Sequence, residues 1–228
     1  MSQRRIVDLS QPVGPDTPVF PGDGPVRVDV IEMMDQTTMN LSRIELSVHT
    51  GTHMDAPFHF FPGAAAIDRV PLERCMGLAA LIDLRGIPAG SEIRRDHIEC
   101  RRDTLRHARM AVLHTGWSKE WGGQRYFRDH PRLSGEAAEF LVDSGIELTG
   151  VDMPSVDQAP YPAHKVLLGA GVPIVENLTN LDAIGADLFE LIVLPLRLAG
   201  RDGSPVRAVA VFSATDSDLL ASGARACP

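Results

Sequence analysis

The sequence predicts a mixed α/β fold with much strand and few helices, built as one domain. Two observations carry this. Short apolar runs of buried-strand length recur along the chain, at Gly77 to Leu84, Met110 to Thr115 and Phe189 to Leu196. Helical patterns are fewer and short, and the clearest, Glu136 to Val142, follows the N-cap residue Ser134 and precedes Gly145, a suitable C-terminal stop. A chain of 228 residues can bury a large core in one domain or two. No internal repeat or low-complexity linker divides it, so a single unit spanning residues 1–228 is expected. Its core covers about 5–212 and a small polar tail follows from Ser213 to Pro228.

The elements follow in order. Arg5 to Leu9 reads as a first short strand. Pro12 to Pro25 holds five prolines and three glycines, which make a loop of fixed shape. Pro25 to Met33 and Met39 to Val48 read as strands. In the second, Ile44, Leu46 and Val48 form an apolar face and Arg43, Glu45 and Ser47 a polar one, so the even residues are expected to face the core. Pro71 to Cys75 suits a short helical turn, and Ile93 to Arg106, polar and mixed in charge, suits helix. Met110 to Thr115 ends at Gly116, and His114 at that strand end reads first as a structural residue. Trp121 to Phe127 is an aromatic loop, either packed or lining a pocket. Ile146 to Val151 returns as a strand, a short helix starts near His164, and the next strand carries Glu176. Arg201 to Ser204 is a turn before a last strand, Pro205 to Val211.

Composition excludes several function classes. Hydrophobic residues make up 44% and charged residues 23%, ordinary for a soluble globular protein. A net charge of −8 with no basic stripe argues against nucleic acid as a partner. No apolar segment marks a signal peptide, and no run approaches the roughly 18 apolar residues that span a bilayer. Cys75, Cys100 and Cys227 are scattered and odd in number, so they are expected to be packing or surface residues in a reducing cytoplasm.

The chemistry concentrates at Val48 to Pro62. His49, His53 and His59, three of eight histidines, lie here with Asp55 among them. Imidazole and carboxylate are the usual ligands of a borderline divalent metal. All four positions are odd, so an extended chain projects them to one face, although Gly51 and Pro57 interrupt it. Spacing of four between His49 and His53 also suits a helix, but Thr50-Gly51-Thr52 forms helix poorly, and a strand end running into a loop is preferred. The plain alternative is three unrelated histidines around a turn. Further on, His164 and Glu176 lie twelve apart on neighbouring elements and could converge.

His49-Thr50-Gly51-Thr52-His53-Met54-Asp55-Ala56-Pro57-Phe58-His59-Phe60 closely resembles the signature H-x-G-T-H-x-D-A-P-x-H-F of the cyclase-like metal-dependent hydrolases, a family that includes bacterial kynurenine formamidases and isatin hydrolases. The resemblance extends over about residues 5–212. It implies a swivelling β/β/α-type fold with a mixed sheet. It implies the ligands His49, His53 and Asp55, and then His164 and Glu176 after the segment Gly150-Val151-Asp152-Met153-Pro154-Ser155-Val156-Asp157. Asp152, Ser155 and Asp157 are expected to support rather than ligate. One or two divalent ions are implied, zinc first and manganese second. In a pair, Asp55 would bridge, with His49 and His53 on one ion and His164 and Glu176 on the other. Phe20 matches an aromatic position at the family's substrate pocket. A homodimer or homotetramer is implied, in which a neighbouring chain helps close that pocket.

A metal site that keeps a water has the parts for hydrolysis, because the ion lowers the water's pKa toward about 7 and stabilises an oxyanion. His59 is the candidate proton carrier, with a sixth-ligand role as its alternative. The expected activity is metal-dependent amidohydrolysis of an amide-type C–N bond in a small aryl substrate, with N-formylkynurenine as the leading case. Hydrolysis of a cyclic amide or lactone, such as isatin, is the alternative. A non-catalytic metal-binding protein on the same scaffold comes third, and the presence of His59 argues for an enzyme. Glu176-Asn177-Leu178-Thr179-Asn180-Leu181 departs from the E-G-L-x-L-D of the dedicated formamidases, which leaves the substrate less determined than the chemistry.

Overall fold

The computed structural model describes residues 4–212. Strands β1 (Arg5–Asp8), β2 (Arg27–Glu32), β3 (Leu41–Glu45), β4 (His53–Asp55) and β5 (Met76–Asp83) come first. Then follow β6 (Glu92–Ile93), α1 (Arg95–Glu99), α2 (Arg102–Leu105), β7 (Met110–His114), β8 (Arg132–Leu133) and α3 (Gly135–Asp143). The chain continues through β9 (Leu148–Val151), α4 (Pro162–Gly169), β10 (Ile174–Glu176), β11 (Leu188–Pro195) and β12 (Gly203–Phe212). The expected abundance of strand over helix is what the fold contains. The tail read from Ser213 onward lies outside the described residues.

Eight strands form one mixed sheet in the order β1-β12-β11-β5-β7-β9-β10-β4. The sheet closes because β4 also pairs with β12. β12 is long enough to do two things: Gly203 to Pro205 pair with β4, and Val209 to Phe212 pair with β1. Alternation then divides the strands between two cores. Met54, Met110, Val112, Val175, Leu191 and Ala208 belong to one apolar cluster, which contains no residue of α3 or α4 and fills the closed sheet. Ile82, Ala111, Leu113 and Ile174 belong to the other, with Phe140 and Leu141 of α3 and Leu167 and Leu168 of α4. Ser134 caps α3 as expected, its hydroxyl accepting the Ala137 N–H at 3.1 Å.

Two expectations need correction. The strand read over Met39 to Val48 is shorter and stands off the core. Among the described residues it pairs only with β2, and Ile44 is 52% exposed. Alternation identified a strand with an apolar face, but nothing local says that the face meets a core. His53 and Asp55 do not lie in a loop beyond that strand; they form β4, a separate central strand. Among the cysteines, Cys75 is a buried free thiol, Cys100 lies at the surface, and Cys227 lies outside the described residues.

Candidate metal centre and cleft

β4 is short because Gly51, with φ +65°, turns the chain before it and Pro57 starts a 3₁₀ turn after it. Within β4, Met54 points into the closed sheet, so His53 and Asp55 point the other way, toward α4. Across the antiparallel pair with β10, His53 sits opposite Glu176 and Asp55 opposite Ile174. β10 thereby delivers its carboxylate to the same face. α4 supplies His164 from its buried side, which also carries Ala163, Leu167 and Leu168.

Four side chains converge there. His53 Nε2 lies 3.4 Å from Asp55 Oδ1 and 3.5 Å from Glu176 Oε2. His164 Nε2 lies 3.7 Å from Asp55 Oδ2 and 3.5 Å from Glu176 Oε1. All four are buried. Their outward atoms are already engaged. His53 Nδ1 is 2.9 Å from the Gly51 carbonyl, which can only accept, so that nitrogen carries the proton and Nε2 presents a lone pair inward. His164 Nδ1 is 2.5 Å from Asp157 Oδ1, which turns Nε2 inward; burial lowers the ring's pKa, but hydrogen bonds to Asp157, Asp55 and Glu176 outweigh it and raise it, so a metal ion would take the place of the Nε2 proton. Glu176 Oε1 accepts the Val156 N–H at 2.9 Å. Two Nε2 atoms turned toward two carboxylates, with both rings held at Nδ1, suit a divalent metal ion.

His49 lies beside this set. Its Nδ1 is 2.8 Å from Asp55 Oδ1 and its Nε2 is 2.8 Å from Asp202 Oδ2. Burial lowers its pKa, but hydrogen bonds and charge from Asp55 and Asp202 outweigh burial and raise it to about 9. His59 follows in the 3₁₀ turn Pro57–His59, with its ring 4.2 Å from that of His49 and its Nδ1 3.5 Å from Asp202 Oδ2. Burial lowers the His59 pKa, which keeps the ring neutral near pH 7. Donor atoms of His49, Asp55 and His59 lie within 4.8 Å of one another, and so do those of His53, Asp55 and Glu176. Asp55 Oδ1 lies between His49 and His53, whose rings stand 5.1 Å apart. Strand pairing brings Glu176 to His53.

The site opens into a cleft of about 340 Å³. Phe60 stacks on the His164 ring at 4.7 Å and meets Tyr161 edge-on at 5.4 Å. On the other side Phe20 meets Phe127 at 5.7 Å. Phe20, expected at the pocket, lines it. The aromatic loop divides its roles: Phe127 lines the cleft, and Tyr126 is fully buried with its hydroxyl donating to Asn177 Oδ1 at 2.7 Å. Asp152 sits off the cleft and accepts from Thr115 and Gly116 backbone N–H groups, while His114 faces Asp182 at 3.6 Å. Sequence reasoning missed Asp202, which read as a turn residue, and Asn177. Only their long-range contacts reveal them.

The Cyclase family profile matches residues 7–158. Kynurenine formamidase of Bacillus thuringiensis (strain Al Hakam) is 36% identical over 216 residues, covering 92% of this chain and 98% of that protein. Kynurenine formamidase of Bordetella avium (strain 197N) is 33% identical over 216 residues, covering 90% and 97%. Isatin hydrolase A from Labrenzia aggregata, solved bound to benzyl benzoate, has a TM-score of 0.83 and 30% identity, covering 92% of this chain and 94% of that one. Among the described residues no helix is long and apolar enough to cross a membrane.

Proposed function

The chain belongs to the Cyclase family, and on that premise we propose that it is a metal-dependent hydrolase of an amide-type C–N bond in a small aryl substrate. The leading case is N-formylkynurenine, cleaved to kynurenine and formate. The observation that carries this reading is the convergence of His53, His164, Asp55 and Glu176 on an aromatic cleft, with both imidazoles turned Nε2 inward.

We read these four as the primary donors and His49, which shares Asp55, as the donor that opens a second position. Zinc suits the imidazoles best, and the carboxylates also admit manganese. A divalent ion held there supplies Lewis acidity, which makes water nucleophilic near neutral pH and polarises a carbonyl. The chain's own residues do the rest. Phe60, Tyr161, Phe20 and Phe127 take the aryl ring and keep bulk water from it. His59, neutral because it is buried, accepts a proton at one ring nitrogen and returns it to the departing amine nitrogen. Asp202, 3.5 Å from His59 Nδ1, orients that ring.

A second reading, opening of a cyclic amide or lactone such as isatin, is favoured by the likeness to isatin hydrolase A. The exposed apolar residues of the β2–β3 hairpin, among them Val30 and Met34 at 60% and 63%, support a homodimer or homotetramer. The test is to strip the protein with chelator, restore zinc or manganese, and assay N-formylkynurenine and isatin side by side. Metal-restored turnover that His59→Ala lowers by about 10²–10⁴ with metal content intact supports the mechanism. Failure of the protein to bind either ion overturns it.

A further inference from the structure

We propose that Asp23 selects the charge of the substrate's ring substituent, so that the cleft favours an aryl amide bearing an ammonium group over one bearing a carboxylate. The inference rests on the hydrolase reading above and narrows its substrate class.

Phe20-Pro21-Gly22-Asp23 is a tight turn, closed by the Asp23 N–H donating to the Phe20 carbonyl at 2.9 Å. Proline at its second position and glycine at its third, with φ +108°, are the residues a type II turn demands. The turn therefore holds two different groups on one lip of the cleft. One is the Phe20 ring, braced edge-on by Phe127. The other is Asp23, which lines the same cleft as His59 and Tyr161.

Charge on this lip is one-sided. The Asp23 carboxylate has no side-chain hydrogen bond or ion pair among the described residues, no described lysine or arginine lines the cleft, and the His49 ring that does is held between Asp55 and Asp202. Asp55 and Glu176 face the two imidazoles and the ion they would hold, so Asp23 is the carboxylate left for substrate. With an aryl ring seated between the aromatic walls, a substituent directed toward the lip meets Asp23. An ammonium there meets a carboxylate at modest desolvation cost, and an anionic group meets repulsion. A substrate whose side chain brings an ammonium to the lip satisfies it in a way that isatin, with no ammonium, cannot.

The test uses the metal-loaded protein and three acetanilides as calorimetric probes. One carries an ammonium on a short ortho chain, one a neutral chain and one a carboxylate. The ammonium probe is expected to bind about fivefold more tightly than the carboxylate probe, with the ratio shrinking at high salt. Asp23→Asn is expected to bring the three within about twofold of one another, and Asp23→Glu to keep the original order. Equal binding of the charged probes, or a ratio that Asp23→Asn leaves intact, overturns the inference. Turnover of the matching formanilides is followed in parallel. Turnover without charge discrimination overturns the role of Asp23 and spares the hydrolase reading. Discrimination in binding without turnover of any formanilide overturns the hydrolase reading and supports the role of the lip. Absence of binding by every probe overturns both.

Discussion

Asp157 holds His164 twice over: its Oδ1 lies 2.5 Å from the ring Nδ1, and its Oδ2 accepts the backbone N–H groups of Ala163 at 2.6 Å and of His164 at 3.2 Å. One carboxylate therefore starts α4 and fixes the ring that α4 carries. Asp157→Asn keeps the shape and removes the charge. Metal affinity, read by competition with a chromophoric chelator, is expected to fall about 10- to 100-fold with helix content retained. Unaltered affinity would remove Asp157 from the support of the site.

Gly203 marks where β12 meets the ligand strand. A Cβ there would come within 2.9 Å of both the Met54 carbonyl and His49 Cε1. The carbonyl is backbone and cannot swing aside. Gly203→Ala is expected to cost about 1–3 kcal/mol in urea denaturation and to lower metal content as well. Wild-type values on both counts would mean that β4 and β12 can separate without harm.

Tyr126 works from behind the cleft. Its hydroxyl donates to Asn177 Oδ1, and Asn177 Nδ2 donates at 2.9 Å to the Gly51 carbonyl, the same oxygen that fixes the His53 tautomer. Tyr126→Phe leaves a buried acceptor unsatisfied and is expected to destabilise the fold by about 1–2 kcal/mol. Unfolding and metal affinity should change together. A loss of stability with metal affinity unaltered would make Tyr126 a packing residue alone.

Acid should expose the Asp83–Arg85 pair. Hydrogen bonds from Arg85 outweigh burial and lower the Asp83 pKa to about 2. A carboxyl depressed in the folded state stabilises above its unfolded pKa of about 3.9, and that contribution is lost as pH falls toward 2. Both side chains are partly in water, at 29% and 50% exposure, so solvent screening limits the effect to about 1 kcal/mol or less. Wild type and Asp83→Asn should differ in chemical denaturation at pH 6 and converge near pH 2. A gap that persists in acid would assign it to packing.

Much of the site was legible because its donors sit in short, dense segments. His49, His53, Asp55 and His59 fall in one run, and alternation correctly paired His53 with Asp55 on one face of β4. Asp202 was not legible. It lies 153 residues from His49 in the chain, and Arg201-Asp202-Gly203-Ser204 has the composition of any turn. Its role exists only because β12 returns beside β4. The approach of Glu176 to His53 is likewise a matter of strand register, which no local pattern encodes. The apolar face of β3 shows the converse limit: Ile44 alternates like a core residue and stays in solvent. Tyr126 and Phe127 are neighbours of similar character, yet one is packed and the other faces the cleft.

The double duty of β12 also sets a timetable. Residues 53–55 emerge from the ribosome early, but the edge that locks them, Gly203 to Pro205, is made some 150 residues later. Contacts so distant in sequence are slow to form, because the intervening chain must be ordered first. Until then the histidine strand has one open side and no Asp202 behind His49. The finished cage for the proposed ion is therefore expected only once β12 is in place, and an ion captured earlier would meet loose side chains.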